Sequence, residues 1–314
     1  MLSLKENTLV SVTAKLLSDP YFRLIIKRWT DEKWKKDVRS KISICNIPLT
    51  LVEEIIVLMK PLALEIHNWM VDHNGIFTEE QECSLEFCFN PDGTLNRVKT
   101  AELLIHSKLL NDATRFMLAC QYWPGWNVFT YFINLPKSSR EQILHKYSIA
   151  NKNWNEHEVN AGQWIDLFNA GYEFEPPRPK GWFYIHHDWT DVPLQSRLLD
   201  YLSEEACKHR LDLVFEETEK MHVGRFCLSR MSVDHREQLL KSFPLKVLRI
   251  YLLRPYHHFF LDAANKFPCR NCERGNRWLS PSIVPSGNFA ELNRTVTCMV
   301  LKANDRRTSS PMPR

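Results

Sequence analysis

Two stretches of the chain gather side chains that could do chemistry. Cys269-Arg270-Asn271-Cys272 sets two thiols at the Cys-x-x-Cys separation, from which two thiolates can reach one zinc ion. His257 and His258 lie upstream and could complete a four-ligand zinc site, with Cys298 as a further candidate. Neighbouring histidines on a helix diverge, however, so the same residues also read as two free thiols at a helix end. The second stretch, Trp182-Phe183-Tyr184-Ile185-His186-His187-Asp188-Trp189, collects imidazoles, a carboxylate and aromatic rings. Imidazole beside carboxylate can move protons or hold a metal. Trp182, Tyr184, His186, His187, Asp188 and Trp189 are therefore the candidate binding residues. In the competing reading the rings cover a core and the histidines face water.

A third stretch, from Lys27 to Lys41, interleaves Lys27, Arg28, Lys33, Lys35, Lys36, Arg39 and Lys41 with Trp29 and Trp34. Cations and tryptophans in alternation can follow a phosphate backbone and stack bases. The spacing also fits an amphipathic helix with its tryptophans inward and its lysines in water, and that reading predicts no nucleic-acid partner. No Gly-x-Ser-x-Gly elbow, phosphate-binding Gly-rich loop, dinucleotide fingerprint or His-Glu-x-x-His is present. With no nucleophile placed by a motif, the reading leans away from an enzyme and names no catalytic residue.

The elements that would carry these residues read as helices. Leu9, Val10, Ala14 and Leu17 recur at helical spacing, and Asp19-Pro20 ends that element and starts the next. Thr30 precedes Asp31 and Glu32, an N-cap followed by acidic residues in the first turn. Val52, Ile55, Ile56, Met59, Ala63, Ile66 and Met70 form the clearest stripe. Pro61 should bend it, and Asn74-Gly75 should close it. Residues 83–95 alternate Leu85, Phe87 and Phe89 with Glu86 and Cys88 before the Asp92-Gly93 turn, which reads equally as a strand or an aromatic linker. Helices return beyond it, with Leu110-Asn111-Asp112 and Pro124-Gly125 as breaks.

The predicted fold is all-α, with antiparallel helical hairpins stacked as a degenerate repeat or packed as an irregular bundle, and minor strand content. Residues 1–74 form an N-terminal helical region. Residues 75–267 form a helical-hairpin region with an aromatic, Pro-rich connection at 171–193, and 268–314 a polar, loosely ordered tail. Arg140-Glu141-Gln142-Ile143-Leu144 echoes in Arg236-Glu237-Gln238-Leu239-Leu240.

The 314 residues suffice for one large domain or two ordinary ones. A net charge of +4 is close to neutral and demands neither nucleic acid nor membrane. The 9 scattered cysteines, odd in number, suit a reducing compartment. The stretch from Leu49 to Met70 is broken by Glu53, Glu54, Lys60, Pro61 and Glu65, which excludes it as a membrane span. The expected location is cytoplasmic or nuclear.

Asp92-Gly93-Thr94-Leu95, Lys99-Thr100-Ala101-Glu102-Leu103-Leu104 and Arg115-Phe116-Met117-Leu118-Ala119-Cys120-Gln121-Tyr122 carry a family likeness. Over residues 1–150 the chain resembles a group of helical-repeat proteins abundant in arachnids and distantly similar to ankyrin-type hairpin stacks. The resemblance implies a helical hairpin fold and no particular activity. The expected function is a non-enzymatic protein–protein interaction module whose partner is another protein. An adaptor or substrate receptor of a ubiquitin-ligase assembly is the alternative, suggested by Ile47-Pro48-Leu49 ahead of a helix. An enzyme built on His186-His187-Asp188 comes third. Should Cys269 and Cys272 hold structural zinc, a chelator will lower the melting temperature; an unchanged melting curve removes the metal.

Overall fold

A computed structural model describes residues 4–43, 47–148, 153–171 and 191–266. The fold is all-α. The chain divides into two compact units, Met1–Met231 and Ser232–Arg314. In the first, α1 (Leu4–Ser18), α2 (Pro20–Arg28) and α3 (Asp31–Ser43) pack on the long α4 (Leu49–Asp72). There follow α5 (Glu79–Ser84), α6 (Arg97–Ile105), α7 (Asp112–Tyr122), α8 (Gly125–Asn134), α9 (Lys137–Ser148) and α10 (Glu156–Asn169). The unit ends with α11 (Asp191–Leu194), a 3-10 turn at Leu198–Tyr201, α12 (Glu204–Glu217) and α13 (Met221–Arg230). The second unit holds α14 (Val233–Ser242), α15 (Pro244–Tyr251), a 3-10 turn at Tyr256–Phe259 and α16 (Phe260–Lys266).

Local chemistry explains where these helices begin and end. Asp19 accepts from the Tyr21 amide ahead of α2, with Pro20 in its first turn. Asn111 accepts from the Thr114 amide ahead of α7. Asn155 and Glu158 form a reciprocal capping box on α10. Each cap satisfies amides that have no carbonyl inside the helix. Past α4, Gly75 takes a positive φ of 87°, as the Asn-Gly signal requires.

Two helices anchor the core of the first unit. On α4, Val52, Ile55, Ile56, Met59, Leu62, Ile66 and Trp69 are all buried, and the helix continues through Pro61. On α7, Phe116 to Tyr122 are buried without interruption. That helix packs against α6, α8, α9, α10 and α11. In a linear stack each hairpin touches only its neighbours. Here α7 reaches past the next hairpin, to α10 and α11. The boundary expected at 74/75 falls inside this unit, where residues from Leu9 to Val192 share one core.

Strand content among the described residues comes down to one antiparallel bridge, Phe89 to Leu95. The Asp92-Gly93 turn forms as expected, with Gly93 at φ 84° and Thr94 bonded to Asp92. A longer ladder is cut short because Asn96 is already the N-cap of α6. The 171–193 connection and the 268–314 tail lie outside the described residues, apart from Gly171 and the short α11.

A glycine inside α10 marks a close approach. A Cβ on Gly162 would stand 2.8 Å from the ring of Trp154. Helix propensity alone favours alanine there by about 1 kcal/mol, but the clash outweighs it. Gly162→Ala should lower the urea midpoint, by about 1–3 kcal/mol of overpacking. In a Trp154→Leu background the same change should be neutral or stabilising.

Candidate functional site

The side chains singled out in the sequence are not brought together among the described residues. Trp182, Tyr184, His186, His187, Asp188, Trp189, Cys269, Cys272 and Cys298 all lie outside them. The backbone of His257 and His258 forms part of the 3-10 turn Tyr256–Phe259. Among the described residues no group of three or more His, Cys, Asp or Glu is arranged to hold a metal ion. In the basic stretch, Trp34 is 1% exposed and its indole donates to Asp31. Lys33 lies 4.3 Å over the Trp29 ring and Lys41 3.9 Å over Tyr21. Each lysine thus stands over an aromatic face within cation–π range.

Three other features stand out. The first is a charge cluster at the C-terminal end of α4. Its centre is Asp72, whose carboxylate is fully shielded from solvent. Arg97, first residue of α6, donates to one oxygen at 2.7 Å. His222 lies 2.9 Å from the same oxygen. Lys220, the residue before α13, donates to the other oxygen at 3.1 Å. Burial pushes the Asp72 carboxyl up. The His222 hydrogen bond and the charges of Arg97, His222 and Lys220 outweigh it and hold the group well below the usual carboxylate range. Two turns earlier on α4, Glu65 takes Arg225 of α13 in a two-oxygen grip at 2.7 and 2.6 Å. It also accepts from the Leu95 amide at 3.2 Å. Glu65 and Asp72 share one face of α4, and His222 and Arg225 share one face of α13. Two clasps thus tie helices far apart in sequence.

Beside Asp72, His73 is locked between two partners. Its Nδ1 sits 2.6 Å from the Trp69 carbonyl and its Nε2 2.9 Å from the Tyr122 hydroxyl. A carbonyl can only accept, so Nδ1 carries the proton and Nε2 accepts from Tyr122. Burial pushes His73 down to about 3, so the ring is neutral at physiological pH. Its face stacks on Trp69, with ring centres 3.9 Å apart, and parallels His157 at 6.2 Å. Burial also lowers the pKa of His157, with Glu156 and Asp72 acting in the opposite direction. Carboxylate, imidazole and phenol recur in proton-transfer sites. Here the carboxylate is sealed and each group is held by a neighbour, so the arrangement works as a fastening.

The second feature is a surface cleft of about 510 Å³ on the outward side of α6. The inward side of that helix buries Arg97, Ala101, Leu104 and Ile105, while Lys99, Glu102, Leu103 and His106 line the cleft. Trp123, Pro124, Arg197 and Tyr201 face them. Arg197 pairs with Glu102 at 2.7 Å, and the His106 and Trp123 rings lie 5.6 Å apart. The volume is in the range of small-molecule sites.

The third is the outer face of α4. Val57, Leu64 and Val71 recur every seven residues and are 70%, 44% and 51% exposed. Pro61 and His67 are exposed between them.

Periodicity located the buried face of α4 but not the partners of Glu65 and Asp72. The available signal was the seven-residue spacing of Glu65 and Asp72, which puts both in line with the buried Leu58 on α4. Comparison of the chain with protein-family models, with curated proteins and with solved structures yields no match. No helix among the described residues is long and apolar enough to cross a membrane.

Asp72→Ala would strand cations built around one carboxylate and should cost about 3–5 kcal/mol in chemical denaturation. For His73 the pKa is lower in the native state than in the unfolded one, so the unfolded chain binds more protons on acidification. Stability should therefore be complete above about pH 6.5 and fall as pH drops toward 3, by a few kcal/mol in all. His157 acts in the same direction. The Asp72 contribution is lost only below the unfolded carboxylate range, near pH 4. His73→Gln should flatten the pH 6.5–4 limb of a melting-temperature profile.

Proposed function

We propose that the chain is a non-enzymatic protein-interaction module whose docking surface is the outer face of α4. The exposed row Val57, Leu64 and Val71 carries this reading. Single exposed apolar residues are ordinary on any protein. A row repeated at seven-residue spacing along one helix is the pattern that receives another amphipathic helix. At 1.5 Å per residue the row spans about 21 Å, the length of a four-turn helix. The opposite face of α4 is fixed in the core, so the outer row is rigid and binding needs little further ordering. The α2 residue Leu24 is 45% exposed, and the charge of Lys27 reaches His67 of the row. An apolar row with a basic neighbour suits a partner helix with acidic residues along its edge.

A photo-crosslinking residue placed at Val57 or Val71 of the full chain should give a discrete protein adduct in cells. Leu64→Glu should cut its yield by roughly tenfold, about 1.4 kcal/mol of affinity, without lowering the melting temperature. Leu109, 66% exposed elsewhere, is the control position and should give none. Adducts indifferent to Leu64→Glu, or none from either position, overturn the reading.

A further inference from the structure

We propose that the cleft on the outward side of α6 binds a small ligand made of a flat ring carrying an acidic group. This site is separate from the α4 row and does not depend on it. Three observations converge. The first is charge. Among the described residues Lys99 has no carboxylate within ion-pairing distance, whereas Arg197 is held by Glu102. The lining therefore carries two cations, Lys99 and Arg197, against the single carboxylate of Glu102. The Arg197 side chain is 55% exposed, so the pair fixes its position without burying it. A guanidinium held this way keeps donors for a second acceptor.

The second observation is the apolar wall. Trp123 is partly buried, and its ring is fixed edge-on against Tyr131 at 5.7 Å and beside His106. A pinned indole is a stacking surface that loses little entropy when a ring settles on it. Leu103 and Tyr201, each 38% exposed, extend that wall. The third is size: about 510 Å³ accommodates one ring and its acid group, and is too little for a folded partner. Cations beside a pinned aromatic face select for both halves of the ligand at once. Phosphate alone would forgo the stacking, and a neutral ring would forgo the charge.

The test uses the full chain and ligand-observed NMR titration with phenyl phosphate and benzoate, against inorganic phosphate and phenol as the separate halves. The expected result is saturable binding of phenyl phosphate or benzoate, at least roughly tenfold tighter than either half, about 1.4 kcal/mol. Stronger binding of phenyl phosphate identifies a phosphate, and of benzoate a carboxylate, as the acid group. Lys99→Glu, at an exposed position, should weaken binding by roughly tenfold or more with an unchanged melting temperature. Trp123→Leu should weaken phenyl phosphate while leaving inorganic phosphate as it was. Absence of saturable binding by both probes overturns the proposal. So does binding that Lys99→Glu leaves intact, or a ring compound that binds no better than its halves.

Discussion

A carboxylate with no access to water has to find its charge partners inside the protein, and Asp72 finds them on two other helices. Arg97 begins α6, Lys220 and His222 stand at the start of α13, and Asp72 ends α4. Removing two charges from water costs several kcal/mol each, so the pairing adds little net stability over a well-packed apolar core. It does exclude alternatives. Any arrangement of α4, α6 and α13 that separates these groups leaves a bare charge in a low-dielectric interior. The Glu65–Arg225 grip repeats the condition two turns away and sets the register of α13 along α4.

The neighbouring rings extend the same constraint. His73 is held neutral by burial and bonded at both nitrogens, so it links the end of α4 to Tyr122 at the end of α7. Two helices that anchor the core of the first unit are thus joined by directional bonds as well as by packing. This firmness gives the outward faces their shape. The exposed row on α4 and the cleft side of α6 belong to helices whose other faces are immobilised, so each presents its side chains at a set spacing.

Much of the helical frame was legible from residue order alone. Asp19-Pro20, Asn111 and Asn74-Gly75 mark boundaries through bonds made within a few residues, and such bonds depend on little else. The α4 stripe was legible because burial on one side of a helix repeats every three or four positions. The 83–95 segment shows where pattern fails. Its alternation suits a strand, yet Asn96 is committed to capping α6 and leaves room for only one bridge. Trp34 was correctly placed inward by spacing, whereas the pairing of Lys60 with Asp31 joins α4 to α3 and has no local signature.

By itself, then, the order of residues determined that this chain is helical, where several of its helices start or stop, and which side of α1 and α4 turns inward. Those properties come from contacts between residues one to four places apart. The tertiary structure alone decided that Asp72 meets His222, that Glu65 meets Arg225, and that α6 divides between a buried arginine and an open cleft. It also decided which apolar residues of α4 stay uncovered. Such pairings join positions some 150 to 160 residues apart, and a charge in a sequence carries no mark of its distant partner until packing removes the water between them.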